Sequence, residues 1–148
     1  MNIRGCKSSD FEVVLVFLEK LWPEKRLNQQ RLKVVYERAL ASRDQDYICV
    51  EENSNVIGFC SLTMRNNLWQ EGHLGHIDVL FVDEAYRGSG IGSALLNHAS
   101  RLAKECGCRR VELDSAFHRK EAHRFYEANG FENRGYLFSK VLDSEELA

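Results

Sequence analysis

Residues 75–93 read GHIDVLFVDEAYRGSGIGS, and this stretch decides the fold. An apolar strand ends at Val82, a short polar turn follows, and an amphipathic helix begins near Gly90. Just before the helix, Arg87 precedes three glycines at every second position. A glycine-rich turn that opens a helix presents backbone N–H groups without helical partners at the positive end of the helix dipole. The stretch therefore predicts an anion site, most naturally for a phosphate or pyrophosphate.

Two well-known phosphate loops do not match this pattern. A P-loop has Lys followed by Ser or Thr after its last glycine, whereas Ser93 and Ala94 follow Gly92 here. A dinucleotide fingerprint has the spacing Gly-x-Gly-x-x-Gly, whereas these glycines are spaced Gly-x-Gly-x-Gly. Arg87 adds a permanent charge whose fork geometry suits phosphate oxygens. Neither loop therefore explains the pattern, and the alternative to an anion site is that the three glycines only form a tight turn and the start of a helix.

Two motifs together carry a family resemblance. The order Arg-Gly-x-Gly-x-Gly after an Ile-x-x-Leu-x-Val strand resembles the acetyl-CoA loop of the GNAT N-acetyltransferase superfamily. The stretch AHRFYEANGF at residues 122–131 is similar to that family's Ala-x-x-Phe-Tyr-Glu-x-x-Gly-Phe. The resemblance implies that acetyl-CoA is the co-substrate, that loop amides hold its pyrophosphate, and that the strand before the loop pairs with its pantetheine arm. The cofactor-binding residues implied are Leu80, Phe81, Val82, Arg87, Gly88, Ser89, Gly90, Ile91, Gly92 and Ser93.

The composition describes an ordinary globular domain and limits its partners. A chain of 148 residues that is 44% hydrophobic and 28% charged suits one domain over residues 1–148. A net charge of −2 with both signs dispersed argues against nucleic-acid binding. No apolar run has the length of a membrane span, and the N-terminus lacks a signal pattern. Five irregularly spaced cysteines predict reduced thiols in a cytoplasmic protein. The sequence does not decide between a monomer and a homodimer.

The hydrophobic periodicity predicts a single α+β domain with a mixed, mostly antiparallel sheet flanked by helices, the GNAT fold by resemblance. We expect a polar loop over residues 66–75 and a frayed acidic tail over residues 143–148. The predicted helices are residues 11–21, 28–41, 90–106 and 122–129, and the predicted strands are residues 2–6, 47–51, 56–63, 73–82, 110–113, 131–133 and 136–142.

An irregularity interrupts the strand before the loop. Ile77 and Val79 keep a period of two, but Leu80 and Val82 continue it one residue out of phase. A β-bulge near Val79 and Leu80 would place both apolar sets on one face and leave backbone groups unpaired. Such groups could bind a ligand, which is the role that the resemblance implies for this part of the strand.

The resemblance also implies the chemistry, which is transfer of an acetyl group from sulfur to an amine. Tyr126 matches the family tyrosine that donates to the leaving thiolate, and a phenol of ordinary pKa stays protonated at neutral pH. The base has three candidates. Asp78 ranks first, acting through water or by attracting the cationic amine. His76 would share its face and has a better matched pKa, and Asp114 ends a predicted strand.

One departure from the family pattern narrows the resemblance. Three residues before the motif alanine many members have Asn, whereas this chain has Arg119. Together with neighbouring residues it resembles the aminoalkylphosphonate N-acetyltransferase branch, whose substrates are small amines with an acidic group and in which a divalent metal is implicated. Glu71, His73 and His76 offer metal ligands without fixed spacing, so we predict a solvated loop and no metal site.

The leading prediction is a cytoplasmic acetyl-CoA-dependent N-acetyltransferase that acts on a small primary amine. The first alternative is an acetyltransferase of protein N-terminal or lysine amines, which an open groove beside His76 and Asp78 would favour. A closed pocket roofed by the first two helices and the 66–75 loop would favour a small molecule. The second alternative is a non-catalytic acyl-CoA-binding sensor, against which the presence of Tyr126 argues.

Overall fold

A computed structural model describes residues 1–143 of the chain. Its helices and strands follow the predicted order as far as the fourth helix, and both 3₁₀ turns, Ser8–Asp10 and Glu84–Tyr86, precede helices. The strands are β1 (Asn2–Gly5), β2 (Gln45–Glu52), β3 (Asn55–Asn67), β4 (Gly72–Val82) and β5 (Cys108–Leu113), and the helices are α1 (Phe11–Leu21), α2 (Gln29–Leu40), α3 (Ile91–Glu105) and α4 (Lys120–Ala128).

The strands form one sheet in the order β1-β2-β3-β4-β5. The first four strands are antiparallel neighbours, and β5 joins β4 in parallel through the α3 crossover. The prediction of a mixed, mostly antiparallel sheet is therefore confirmed. Among the helices of residues 1–143, none combines the length and apolar character that a bilayer crossing requires.

Helices cover both faces of the sheet and divide the core into two clusters. On one face α3 buries Leu95, Leu96 and Ala99 against the central strands. On the other face α1 and α2 bury aromatic side chains, including Phe17, which stacks on Phe81 of β4 with 4.8 Å between ring centroids. The sheet is thus held from both sides, which fixes β4 in the middle of the domain.

The predicted bulge exists, but it lies one residue earlier, at Asp78. Ser61 of β3 pairs with Val79 and Leu62 pairs with Ile77, so Asp78 is the extra residue of β4. A bulge of this kind places two successive residues toward the same side. The bulged residue is therefore the acid that the sequence ranks first as a catalytic candidate.

The bulge does not place all of the apolar residues of β4 on one face of the sheet, as predicted, but divides them between both faces. Ile77, Leu80 and Val82 pack on the α3 side, whereas Val79 and Phe81 pack on the side of α1 and α2. The expectation that all of the apolar residues share one face was wrong for Val79. The strand is buried on both faces, and such strands do not alternate between apolar and polar residues.

Two further predictions differ from the structure. The loop expected over residues 66–75 is mostly strand, because β3 extends to Asn67 and β4 begins at Gly72. The closing strands expected at residues 131–133 and 136–142 are absent from the described chain, and residues 132–143 are exposed. The predicted tail lies outside the described residues from Ser144 onward.

Candidate active site

An open strand edge lies at the centre of the candidate site. β4 pairs with β5 from His73 to Ile77, where the partner is Leu113, the last residue of β5. Within the described chain, residues 78–82 have no ladder partner on the edge that faces β5. Unpaired backbone groups on an edge can bind an extended ligand as an added strand. The edge begins at the bulge and ends at the glycine-rich loop.

The glycine-rich loop opens α3 with the backbone that its composition predicts. Gly88 has φ +82° and Gly90 has φ +87°, a left-handed conformation that glycine adopts without steric cost. Gly90 is the N-cap of α3, and a Cβ built there meets nothing within 4 Å. The Ser89 hydroxyl donates to the Tyr86 carbonyl at 2.6 Å, which ties the turn together. The loop therefore leaves open space in front of the first amides of α3.

Gly92 is required for a different reason. It lies inside α3 without a positive φ, and a Cβ there would be 3.0 Å from Cζ of Phe125. The Phe125 ring of α4 thus packs directly on the first turn of α3 and joins the two sequence motifs physically. The third glycine permits this close approach of a side chain to the backbone.

Arg87 faces β4 rather than the row of loop amides. Its Nε donates to the Val82 carbonyl at 2.9 Å, and its guanidinium carbon lies 5.4 Å from the ring centroid of Phe81. This hydrogen bond occupies the Val82 carbonyl, which is one of the main-chain groups predicted to pair with the pantetheine arm. A phosphate contact of Arg87 would require this side chain to turn.

The structure brings all three candidate bases into one hydrogen-bonded chain. His76 Nδ1 lies 2.9 Å from Asp78 Oδ1, and His76 Nε2 lies 3.1 Å from Asp114 Oδ2. The Thr63 hydroxyl donates to the second oxygen of Asp78 at 3.1 Å. A ring that donates from both nitrogens is the imidazolium, so the cluster carries two carboxylates against one cation. Its net negative charge would attract an ammonium group.

The pKa directions agree with this charge state. The hydrogen bond to Asp78 raises the pKa of His76, burial opposes that rise, and Asp114 adds to it. Burial alone would raise the pKa of Asp78, but the hydrogen bond and charge of His76, with Thr63, outweigh it and leave the pKa below its ordinary value. The histidine and its bulge partner are therefore both charged over a wider pH range than either would be alone.

Tyr126 lies in α4 between two aromatic neighbours. Its ring centroid is 5.5 Å from that of Phe125 and 6.0 Å from that of Phe131. Burial raises the pKa of Tyr126, against the charge of nearby Arg119. Within residues 1–143 no hydrogen bond involves its hydroxyl. The phenol therefore stays protonated and can donate to a ligand atom.

Two buried hydroxyl oxygens lack hydrogen-bond partners within the described residues. They belong to Ser61, opposite Val79 beside the bulge, and to Ser115, which follows Asp114. Unpartnered buried hydroxyls are uncommon in folded proteins and call for a specific reason. Ser115 is the chain neighbour of Asp114, and Ser61 pairs with the residue that follows Asp78.

A cavity of about 810 Å³ lies beside the end of β4, on the face that carries α1. The residues that line it are Lys20, Leu21, Trp22, Pro23, Glu24, Lys25, Phe81, Arg87, His118 and Arg119. Four of them are permanent cations and one is an acid. Arg119 connects the two sides of the cavity, because its guanidinium donates a hydrogen bond to the Leu21 carbonyl at 3.2 Å.

The metal ligands considered from the sequence do not form one coordination sphere. His73 Nδ1 faces the Cys106 carbonyl, Glu71 lies 3.8 Å from Arg109, and His76 is held by two carboxylates on opposite ring nitrogens. In residues 1–143 a group with metal-ligand spacing does occur, at Cys6, Asp10 and Cys49. Arg4 already pairs with Asp10 there at 2.8 Å. A divalent ion of the implied kind does not fit the residues of the candidate site.

The family assignment follows from a comparison with known proteins. Residues 14–131 match the acetyltransferase (GNAT) family. The chain belongs to the GNAT acetyltransferase family. Aminoalkylphosphonate N-acetyltransferase of Salmonella typhimurium is 29% identical over 141 residues, which are 95% of this chain and 91% of that protein. Glucosamine 6-phosphate N-acetyltransferase of Trypanosoma brucei brucei is 33% identical over 133 residues, 88% of each chain.

The fold comparison agrees with the family. The structure of glucosamine-6-phosphate N-acetyltransferase from Arabidopsis thaliana has a TM-score of 0.81 to this GNAT chain, with 24% identity, and the match covers 96% of this chain and 98% of the other. The predicted GNAT fold and family are therefore confirmed, and the protein is an N-acetyltransferase.

Some residues of this GNAT site were missed in the sequence analysis. Thr63 is a residue of β3 whose contact with Asp78 depends on the pairing register. Lys20 and Trp22 reach the cavity only because α1 ends beside β4. The break at Pro23 signals where α1 stops, but it carries no information about which strand lies opposite.

Proposed function

We propose that this GNAT protein transfers an acetyl group from acetyl-CoA to the primary amine of a small molecule, by direct attack of the amine on the thioester. The observation that carries the proposal is the Asp78–His76–Asp114 chain at the start of the open β4 edge. This arrangement places acid–base groups where a thioester bound along the edge would end.

The cofactor would lie along β4 and over the first turn of α3. The pyrophosphate fits the open space in front of Gly90, where loop amides and the helix dipole favour an anion. The pantetheine arm would pair with the main chain of residues 80–82. Tyr126 would then donate its phenolic proton to the departing sulfur, and its raised pKa keeps the phenol protonated until the thiolate forms.

The ionisable cluster supplies the base. An alkyl ammonium cannot attack a thioester, so it must first lose a proton. The imidazolium first loses one proton and releases one carboxylate. The neutral ring of His76 then accepts the proton of the amine directly or through water, and Asp78 and Asp114 stabilise the imidazolium that forms again. A raised pKa makes His76 a stronger base and brings it closer to the pKa of the amine. The two carboxylates also attract the ammonium to the site.

We also propose that the acceptor carries an acidic group. The basic cavity and the ionisable cluster lie on the same face of β4. Asp78 bonds to Thr63 on the side opposite α3, and Phe81 follows on that side roughly 10 Å further along the strand. Lys20 and Arg119 could bind a phosphate, phosphonate or carboxylate while the amine meets His76. The names of both relatives describe amines that bear a phosphorus acid group.

The charge of the cavity, rather than its shape, favours a small acidic molecule over a protein substrate. Residues 20–25 line one side of the cavity, the rest of which is widely open, and four of its lining residues are cations. The β3–β4 hairpin does not line the cavity, so the closed pocket that would have favoured a small molecule on shape alone is not formed by it. The cytoplasmic location is also part of the proposal, supported by five unbridged cysteines.

The testing experiment is a thiol-release assay with acetyl-CoA and a panel of amines. The panel contains an aminoalkylphosphonate, an amino sugar phosphate, the same amines without the acidic group, and peptides with free N-terminal or lysine amines. We expect turnover with small acidic amines. Turnover with peptides alone would favour the protein acetyltransferase, and acetyl-CoA binding without turnover of any amine would favour a sensor.

Substitution of Lys20 tests whether the acidic group of the acceptor amine binds in the basic cavity. Lys20→Ala should raise KM for the acidic amine and leave KM for acetyl-CoA and for the uncharged amine unchanged. Lys104→Ala, on the exposed surface of α3, is the matched control. Equal effects of Lys20→Ala on charged and uncharged amines would contradict a binding role for the lysine.

A further inference from the structure

Two cysteines lie side by side outside the candidate active site. Cys6 directly follows the last residue of β1, and its backbone N–H donates to the Tyr47 carbonyl of β2 at 2.8 Å. Cys49 lies two residues further along β2, where the register places it opposite Arg4. The Sγ atoms of the two cysteines lie within 4.8 Å of each other. We call Cys6 and Cys49 the thiol pair.

The pairing of β1 with β2 explains why the thiols meet. Alternate residues of a strand point to the same face, so Cys49 shares a face with Tyr47, the residue opposite Cys6. Both Cys6 and Tyr47 pack in the cluster that α1 and α2 cover. Diagonal neighbours on one face of an antiparallel pair are the next closest after directly opposite residues. The sheet register therefore joins two cysteines that are far apart in the chain.

Asp10 is the third ionisable group beside the thiol pair, but its carboxylate is already engaged. Arg4 donates two hydrogen bonds to it, at 2.8 and 3.1 Å, and the Lys7 amide donates a third at 2.7 Å. A metal ion would have to displace at least one of these donors from a buried carboxylate. The two sulfurs alone fall short of the four ligands of a structural zinc site. The geometry therefore favours chemistry between the sulfurs over metal binding.

The two thiols differ in exposure and in acidity. Cys49 is fully buried, whereas Cys6 is half-buried between exposed Gly5 and Lys7. The hydrogen bond from Cys6 lowers the pKa of Cys49, burial opposes that shift, and the charge of Arg4 supports it. The same hydrogen bond, together with burial, raises the pKa of Cys6. A reagent in solvent therefore meets Cys6 first, with the more acidic sulfur directly behind it.

We propose that Cys6 and Cys49 are a reversible redox site that forms an intramolecular disulfide when a low-molecular-weight disulfide is the oxidant. The Cys6 sulfur attacks one sulfur of the oxidant and passes its proton through Cys49 to the thiolate that leaves. The Cys49 sulfur then attacks Cys6 Sγ and displaces the second thiolate, which takes the remaining proton. The two protein thiols thus lose two electrons and two protons, and the oxidant leaves as two small thiols.

The bridge requires only a local movement of the chain. A disulfide bond is about 2.05 Å long, so the two sulfurs must approach each other by roughly 3 Å at most. Cys6 lies between β1 and the first 3₁₀ turn, outside both elements, so it can shift without breaking the register of the sheet. The covalent loop that closes contains α1 and α2. In a reducing compartment the pair stays as thiols, and it is oxidised only when the oxidant accumulates.

The test incubates the folded, full-length protein with oxidised glutathione, then alkylates the free thiols and maps every cysteine by mass spectrometry of its peptides. We expect most wild-type chains to carry the Cys6–Cys49 bridge, and a dithiol reductant should reverse it. Cys106→Ser removes an exposed thiol of the α3–β5 turn and is the matched control, so it should form the same bridge. Circular dichroism establishes that each variant is folded.

Two single variants separate the roles of the thiol pair. Cys49→Ala should retain glutathione on Cys6, because no second sulfur displaces it. Cys6→Ser should leave Cys49 unmodified, because Cys49 is buried. A wild type that forms no such bridge, or forms it only between two chains or only in denaturant, would overturn the proposal. The readout is the state of the cysteines, so it does not depend on acetyl transfer.

Discussion

His76 and Asp78 face each other across a β-bulge, with 2.9 Å between Nδ1 and Oδ1. Residues two apart in a strand normally lie about 7 Å from each other along the strand. The bulge alters this spacing at Asp78, which is the first residue of β4 beyond its pairing with β5. The same irregularity thus builds the acid–base pair and begins the open edge.

The first prediction concerns Asp78→Asn. Removing the carboxylate takes away the largest cause of the raised pKa of His76, so that pKa should fall. We expect the acidic limb of the kcat/KM profile to move to lower pH, while kcat falls and acetyl-CoA affinity is retained. The control is Asp44→Asn, an exposed aspartate away from the site. An unchanged rate and an unchanged limb would remove Asp78 from the mechanism.

The second prediction concerns Gly90→Val. A β-branched residue at φ +87° is strained by roughly 1–2 kcal/mol, and its side chain would fill the space in front of the α3 amides. Calorimetry should show loss of acetyl-CoA binding in a folded protein. Gly5→Val, at a strand glycine with open space around it, should bind normally. Wild-type affinity in folded Gly90→Val would contradict the phosphate site.

The third prediction separates the third glycine from the other two. Gly92→Ala places a methyl group 3.0 Å from the tip of the Phe125 ring, so unfolding free energy should fall. The fall should be smaller than the roughly 1–3 kcal/mol typical of overpacking, because the ring tip can shift and alanine gains roughly 1 kcal/mol over glycine within a helix. Phe125→Leu should relieve part of that loss, and the double variant should be less destabilised than the sum of the single changes. Additive effects in denaturant titrations would show that the two residues do not press on each other.

The contrast between Gly90 and Gly92 shows which features a local sequence pattern can predict. The glycine spacing predicts the turn, the start of α3 and the anion site, because backbone conformation is encoded within a few residues. It does not predict that Gly92 accommodates Phe125, since that contact joins residues 33 positions apart through tertiary packing. Both motifs were found, but the physical link between them was not.

The candidate base shows the same limit. Asp78, His76 and Asp114 were ranked as alternatives, because the sequence places two on one strand and the third at the end of another. The β4–β5 register, with His76 opposite Glu112 and Ile77 opposite Leu113, makes them one cluster. The closing strands were predicted from apolar composition. Composition shows a tendency to form strands, but it does not show whether a strand edge is available for pairing.

The fourth prediction concerns Tyr126→Phe. The ring keeps its packing on Phe125 and Phe131, so the melting temperature should change little. Without the hydroxyl, kcat should fall on the order of 10²-fold, the scale for losing a positioned acid. The loss should shrink with an acyl donor whose thiol is more acidic, because that thiolate needs less help. Normal turnover of Tyr126→Phe with acetyl-CoA would make Tyr126 a packing residue.

Following the acetyl group itself tests the central claim most directly. The wild-type protein is mixed with isotope-labelled acetyl-CoA and the best amine of the panel, and mass spectrometry measures the label on the amine and on the protein while free thiol is counted. Direct transfer predicts one labelled amide for each thiol released and no labelled protein at any time. Thiol release without a labelled amine, or an acetylated side chain that forms and then disappears, would contradict direct acetyl transfer to a small amine.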